Sequence, residues 1–298
     1  MKIINSRLNF HLWTCISLLV LLGFTFSPYA AAQSSESEIR LYILDGGILE
    51  SDPSRYELDD AEVASRELAI SAYLIVHPQG VLLFDSLGIA DSERIPEGAG
   101  QQQTIVRPDR QLRHVTLGES LQDQLQSIGV SPDNISHLAF SHLHWDHTAN
   151  GNLFTNAVWL VRSEERTLMF SENPGGSARP DKYNQLAESA TRLIEIAEYD
   201  VFGDGKVILK SAPGHSPGHQ VLFVQLENSG SVVISGDLYH YREERSLGRL
   251  PLGDMDRERT RQSRLEVESF LNERGAELWI QHDLISHRER NWAPAFYR

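Results

Sequence analysis

The amino-acid sequence predicts an α/β fold on two observations. β-prone apolar runs recur along the chain from Leu41 onward, and several of them stop abruptly at an aspartate or just before a histidine. Between them lie charged, amphipathic segments of helical spacing. An apolar share of 41% over 298 residues is enough for a domain-sized core, and no stretch is of low complexity.

In chain order, residues 1–32 have the layout of an export signal. Lys2 and Arg7 precede the apolar run 16–26, and Ala30, Ala31 and Ala32 offer small residues for cleavage before Gln33. The run is shorter than the ~20 residues that span a bilayer, which favours removal over a retained anchor. Residues 33–298 are then expected to form a single domain, periplasmic or secreted, with no stable membrane partner. Cys15, the only cysteine, falls within the signal, so the mature chain has no disulfide and no thiolate for a metal. Formal charge is −14, and since the first 32 residues carry only Lys2 and Arg7, the remainder stands at −16. So acidic a surface argues against nucleic acid and anionic lipid as partners. A small anionic substrate stays open, because bound metal reverses the local field.

Residues 41–44, 69–76 and 81–84 read as strands, with His77-Pro78-Gln79-Gly80 as the turn between the last two. Residues 45–68 and 91–114 are irregular by pattern and read as long connections bordering a substrate mouth. A helix is expected over 117–128, where Leu121, Leu125 and Ile128 share a face and Gly129 stops it. Further on come a strand at 157–161, a helix from Ser163 with Glu164 and Glu165 in its first turn, and a helix over 186–199. Strands at 207–209 and 232–236, a charged helix over 257–274 and a β-prone run at 277–282 complete the chain.

The chemistry gathers behind the apolar run 135–140. His142, His144, Asp146 and His147 fall within six residues, and imidazole is the commonest protein ligand for metals. On extended chain His142 and His144 point the same way and can serve one ion, while Asp146 and His147, past a turn, can face a second. The plain alternative is a His-rich surface loop. In Ala212-Pro213-Gly214-His215-Ser216-Pro217-Gly218-His219 a sharp turn at a strand end can hold one imidazole inward, and two histidines compete for that place. Asp237 ends the next strand, where a carboxylate can bridge two cations or simply cap a turn. His282 ends the last β-prone run. Asp85, after the third strand, suits a turn cap, and His77, His114, His137 and His287 have no neighbour at ligand spacing.

His-x-His-x-Asp-His after a strand resembles the signature of the metallo-β-lactamase superfamily, and with the later segments the chain is most similar to its N-acyl-homoserine lactonase branch. The resemblance runs from about Leu41 to the C-terminus. It implies an αββα sandwich of two mixed β-sheets with outer helices, all ligands lying on loops at one edge. It implies His142, His144 and His215 for one ion, Asp146, His147 and His282 for another, and Asp237 shared between them. His215 is the ligand of a Thr-Pro-Gly-His pattern in which Ala212 replaces the threonine, His219 supports it, and Asp85 orients a ligand. The implied cofactors are two divalent ions, zinc first, with iron, manganese and cobalt also suited to His and Asp. Water between two such ions ionises near neutral pH. The implied activity is the opening of N-acyl-homoserine lactones, quorum quenching, on a small-molecule lactone or ester. Its catalytic set is Asp146, Asp237 and a tyrosine hydroxyl, for which Tyr239 and Tyr241 are the candidates, neither at the family's usual offset. Trp145 and Tyr239 beside the ligands suit an apolar acyl tail. Other readings share the site: hydrolysis of aryl esters or organophosphates, and less well of β-lactams. A glutathione thioesterase would need a C-terminal helical domain, and only 16 residues follow His282. A periplasmic zinc-binding protein without turnover would need no shared carboxylate.

Overall fold

The structure is a computed structural model and describes residues 38–298, so the export signal read at 1–32 lies outside the described residues. Period-two alternation of apolar residues builds it. In strand β10 (Val207–Ser211), Val207 and Leu209 face one core cluster and Ile208 another, and Leu222 and Val224 alternate with Val221 and Phe223 in β11 (Gln220–Leu226). Strands with two apolar faces must be covered on both sides, and that requirement sets the layering.

Eight strands form the first sheet: β1 (Arg40–Glu50), β2 (Glu67–His77), β3 (Gly80–Phe84), β4 (Gln102–Val106), β5 (Leu112–Leu117), β6 (His137–Ala139), β7 (Val158–Arg162) and β8 (Thr191–Ile194). Their spatial order is β4-β5-β1-β2-β3-β6-β7-β8, antiparallel up to β3 and parallel from there to β8. The second sheet runs β13 (Ala276–Trp279), β12 (Gly230–Ile234), β11, β10, β9 (Glu198–Asp200), with only the β12–β13 pair parallel. Leu41, Ile43, Tyr73 and Phe84 of the first sheet meet Leu209, Leu222, Ile234 and Trp279 of the second in the sandwich interior. Burying each such side chain contributes roughly 1.5–3 kcal/mol.

Helices close the outer faces. Leu121 and Leu125 of α1 (Leu121–Ser127) and Met169 of α3 (Ser163–Met169) cover the first sheet. Val267, Phe270 and Leu271 of α5 (Arg257–Arg274) cover the second. Short helices α2 (Trp145–Thr148), α4 (Arg242–Leu247) and α6 (Leu284–Glu289) follow strand ends and carry loop residues. The mixed two-sheet sandwich with outer helices is the architecture the resemblance implies. Among the described residues no helix is long and apolar enough to cross a membrane.

Three local expectations are corrected. Residues 186–199 are not a helix but a 3-10 turn, β8 and β9, because β7 offers an open parallel edge and Trp159 N–H donates to Ala190 O at 2.8 Å. Leu193, counted as an apolar helix position, is exposed. Residues 91–114 are not irregular: β4 and β5 pair there as a hairpin, Val106 opposite Leu112. Helix α1 begins only at Leu121, because Leu117 still pairs with Gly47 as the last residue of β5.

Candidate metal centre

Strand direction brings the site together. β3 and β6 are parallel, as are β12 and β13, and β10 and β12 both run antiparallel to β11. Their C-terminal ends therefore open on one edge, where the loops that follow carry Asp85, the 142–147 segment, His215, Asp237 and His282. The two sheets are joined there by His282, whose Nδ1 lies 2.6 Å from Ala69 O on β2.

Asp237 sits at the middle with its two oxygens divided. Oδ1 lies 3.0 Å from His147 Nε2 and 2.9 Å from His282 Nε2. Oδ2 lies 3.4 Å from His142 Nε2, 3.2 Å from His215 Nε2 and 3.1 Å from His240 Nε2. His144 joins through its Nδ1, 3.1 Å from His215 Nε2, and Asp146 through its Oδ2, 3.8 Å from His282 Nε2. Candidate ligand atoms thus form two groups, His142, His144, His215 and Asp237 in one, Asp146, His147 and His282 in the other, each within 4.8 Å. The buried His142 Nε2 and Asp237 Oδ1 have no hydrogen-bond partner, and pairs of imidazole nitrogens face each other, an arrangement that a cation satisfies and neutral protein does not. The donor set, His and Asp with no sulfur, fits divalent metal ions.

Electrostatics divide the imidazoles, and His147 is raised well above its ordinary value by Asp237, Asp85 and Asp146 against its burial. Burial would raise the Asp237 carboxyl, yet His147, His282, His142 and His240 hold it well below the usual carboxylate range. Burial keeps His142 and His144 neutral, well below the ordinary imidazole value, as metal ligands must be. His215 is pushed the other way, to about 10, since Asp237 and Asp254 outweigh its burial.

A ring of further residues fixes the ligands. Asp85 Oδ2 lies 2.8 Å from His147 Nδ1, and Asp85 also accepts Ser141 N–H at 2.6 Å and Gln281 Nε2–H at 2.8 Å. It is an orienting carboxylate, and it is held at φ +64°, with Leu87 at +63°, conformations that cost non-glycine residues roughly 1 kcal/mol or more. Asp254 Oδ1 stands 2.7 Å from His215 Nδ1. His219 Nε2 accepts Asp237 N–H at 3.0 Å while Nδ1 lies 3.0 Å from Ala212 O, so both ring nitrogens are engaged by the protein and it supports Asp237. Gly236 has φ +50°, and a Cβ there would stand 2.7 Å from His219 Nε2, which only glycine avoids.

The tyrosines are placed away from the centre. Tyr239 donates its hydroxyl to Glu268 at 3.3 Å and packs under α5, with Arg264 over its ring. Tyr241 packs on Tyr56 with ring centroids 5.2 Å apart. Extended backbone through 239–241 sends alternate side chains to opposite faces, and the middle one, His240, faces Asp237 instead. His240 was legible only as an imidazole close behind Asp237. Asp254, Glu165 and Gln281 carry no local signal, since their partners lie dozens of residues away. His287, without a neighbour at ligand spacing in the sequence, is buried, its Nδ1 3.2 Å from Ser71 Oγ.

The sequence model described as the metallo-beta-lactamase superfamily matches residues 65–280. The chain belongs to that superfamily. Relatives within the superfamily include N-acyl homoserine lactonase AttM of Azorhizobium caulinodans, 26% identical over 274 residues, which covers 88% of this chain and 99% of the relative. N-acyl homoserine lactonase AiiA of Bacillus thuringiensis subsp. kurstaki is 27% identical over 230 residues, covering 77% and 87%. A solved N-acyl homoserine lactone hydrolase, with the product N-hexanoyl-L-homoserine at its catalytic metal center, is 25% identical and superposes with a TM-score of 0.70 over 87% of this chain and 99% of its own. The chain is a hydrolase of the metallo-beta-lactamase superfamily with lactonases among its relatives.

Proposed function

We propose that the protein is an exported lactonase that holds two divalent ions, zinc first, and opens the ring of N-acyl homoserine lactones. The observation that carries this reading is the division of Asp237, one oxygen toward His147 and His282 and the other toward His142 and His215. His142, His144 and His215 would hold one ion, Asp146, His147 and His282 the other, and Asp237 both. When bound, the ions supply Lewis-acid polarisation of the carbonyl oxygen and acidify water enough for attack at neutral pH. The lactonase names of the relatives support the substrate class.

The chain's own groups do the rest. Asp85, Asp254 and His219 hold ligand rings and the Asp237 backbone in one orientation, so little freedom is lost in the transition state. His240, backed by Tyr56 at a centroid distance of 4.5 Å, lines the pocket with its Nε2 3.1 Å from Asp237 Oδ2, and it is the hydrogen-bonding side chain that stands where a tyrosine hydroxyl was expected. In the net reaction water adds to the acyl carbon, the ring C–O bond breaks, and a hydroxy-carboxylate and one proton leave.

A pH-indicator assay on metal-replete protein tests this directly. Proton release from several N-acyl homoserine lactones is expected. None from any of them, with ready turnover of an aryl ester or phosphotriester, would transfer the reading to those substrates. Elemental analysis should give two ions per chain, and full activity with one or none would end the two-ion mechanism. For export, the mature chain should begin at or near Gln33, and recovery only in the membrane with Met1 retained would mean an anchor.

A further inference from the structure

In a chain of formal charge −14, the cavity of about 290 Å³ beside the metal centre is walled by three arginines, Arg55, Arg107 and Arg113, together with His144, Asp146, Asp237, His240 and His282. Arg55 lies in the 3-10 turn Pro53–Tyr56, Arg107 begins the turn of the β4–β5 hairpin, and Arg113 lies on β5, so two separate segments deliver cations to one mouth. A separate groove shares Arg55 and Arg113 with it, there beside Glu50 and Asp52.

The carboxylates of the cavity lining, Glu50, Asp146 and Asp237, offset these cations only as long as no metal claims the two aspartates. Among the described residues neither Arg55 nor Arg113 has a carboxylate within 4.0 Å, and Glu50 at the same rim is engaged by Gln102 at 2.8 Å. Arg107 is fixed: Nη2 meets Asp109 Oδ2 at 2.8 Å and Ser177 Oγ at 2.5 Å, and Nε donates to Gly176 O at 3.2 Å. Among the described residues its Nη1 has no hydrogen-bond partner. Ser177 O in turn accepts the N–H of Trp145, beside ligands His144 and Asp146, so this guanidinium is tied to the metal loop. Burial first, and then the neighbouring guanidiniums, push Arg113 below its ordinary value, and Asp146 acts on both Arg107 and Arg113 in the opposite direction. With metal bound, Asp146 and Asp237 are committed to ions, Asp109 is paired with Arg107, and Glu50 is the one carboxylate of the lining left to face Arg55 and Arg113, so the wall carries a net positive charge.

We propose that this wall recognises a carboxylate on the substrate remote from the bond that is cleaved, so that the preferred lactones or esters carry an anionic acyl end in place of an alkyl tail. Guanidinium matches carboxylate in a planar, two-bond fork, and the site's positive field draws such an anion in. The expectation of an apolar tail, built on Trp145 and Tyr239, gives way: Trp145 lines the cavity, but Tyr239 packs away from it against α5. The inference rests on the lactonase reading only for the identity of the scissile ring.

The test pairs N-glutaryl-homoserine lactone with its glutaramide isostere, which differ in one charge and almost nothing in shape. We expect kcat/KM at least about tenfold higher for the carboxylate, carried by KM, with the ratio shrinking as salt screens the wall. In Arg113→Gln and Arg55→Gln the ratio should fall several-fold toward unity, whatever the absolute rate. Calorimetric titration of metal-replete protein with the two ring-opened products needs no turnover and should show the same preference. Equal rates, or equal affinities of the two products, overturn the inference and leave the lactonase reading standing on the amide. If neither lactone opens, the lactonase reading fails, and the product affinities still decide whether the wall takes a carboxylate.

Discussion

Glu165 gives the sharpest perturbation of the site without touching a ligand. It is buried at the start of α3, and burial pushes its carboxyl up while three donors pull it back. Oε1 accepts Leu143 N–H at 2.8 Å, between ligands His142 and His144, and Oε2 accepts Ser216 Oγ–H at 2.7 Å and Gly218 N–H at 2.8 Å, beside ligand His215. One side chain thus clamps two ligand loops together, and Gly218 must be glycine because a Cβ there would stand 2.6 Å from Glu165 Cβ. Glu165→Ala strands two backbone N–H groups in a dry site at about 1–3 kcal/mol each, a total of about 3–5 kcal/mol with the lost packing. For a domain of this size that is a fall in Tm of order 10 °C. Glu165→Gln keeps one acceptor but sets an amide N–H against Gly218 N–H, and should lose about half as much. Thermal unfolding in chelator and again with saturating zinc separates two roles. A clamp for the ligands makes the loss larger with metal, because the variant also forfeits metal affinity. Equal losses in both states, or a Gln variant indistinguishable from the parent, would refute the clamp.

Asp237→Asn removes both the negative charge and one of the two opposed oxygens, and should lower metal content and kcat together by about 100-fold or more, read by elemental analysis and the proton-release assay. His215→Gln should be far more damaging than His219→Gln, since His219 only receives Asp237 N–H and contacts Ala212 O, roles an amide can partly fill. The reverse order would exchange their assignments. Buried His287 is pushed down to about 2, first by burial, against an ordinary 6.5. The unfolded chain therefore takes up the proton first as pH falls below 6.5, and this group costs about 1.4 kcal/mol of stability per pH unit on the way down. Denaturant titrations of His287→Gln should show a shallower acid loss, the gap to the parent narrowing by about 2.3 kcal/mol between pH 6.5 and about pH 4.5.

What the sequence determined alone was whatever short-range spacing enforces. The hairpin turn at 77–80, the bounds of α5 at Arg257 and Arg274, and the His142 to His147 cluster behind a buried strand are all local, and each has the periodicity or turn chemistry its conformation requires. The tertiary structure decided everything that depends on which backbone lies alongside. Residues 186–199 have a serviceable helical pattern, but the unpaired edges of β7 and β10 outbid it and draw β8 and β9 into strands. The register of 239–241 turned both tyrosines away and His240 inward. Asp254, Glu165, Gln281 and the arginine wall reached the site only when sheet packing set them beside loops 22 to 196 residues away, because hydrogen bonds and charge act through distance in space and leave no period in the chain.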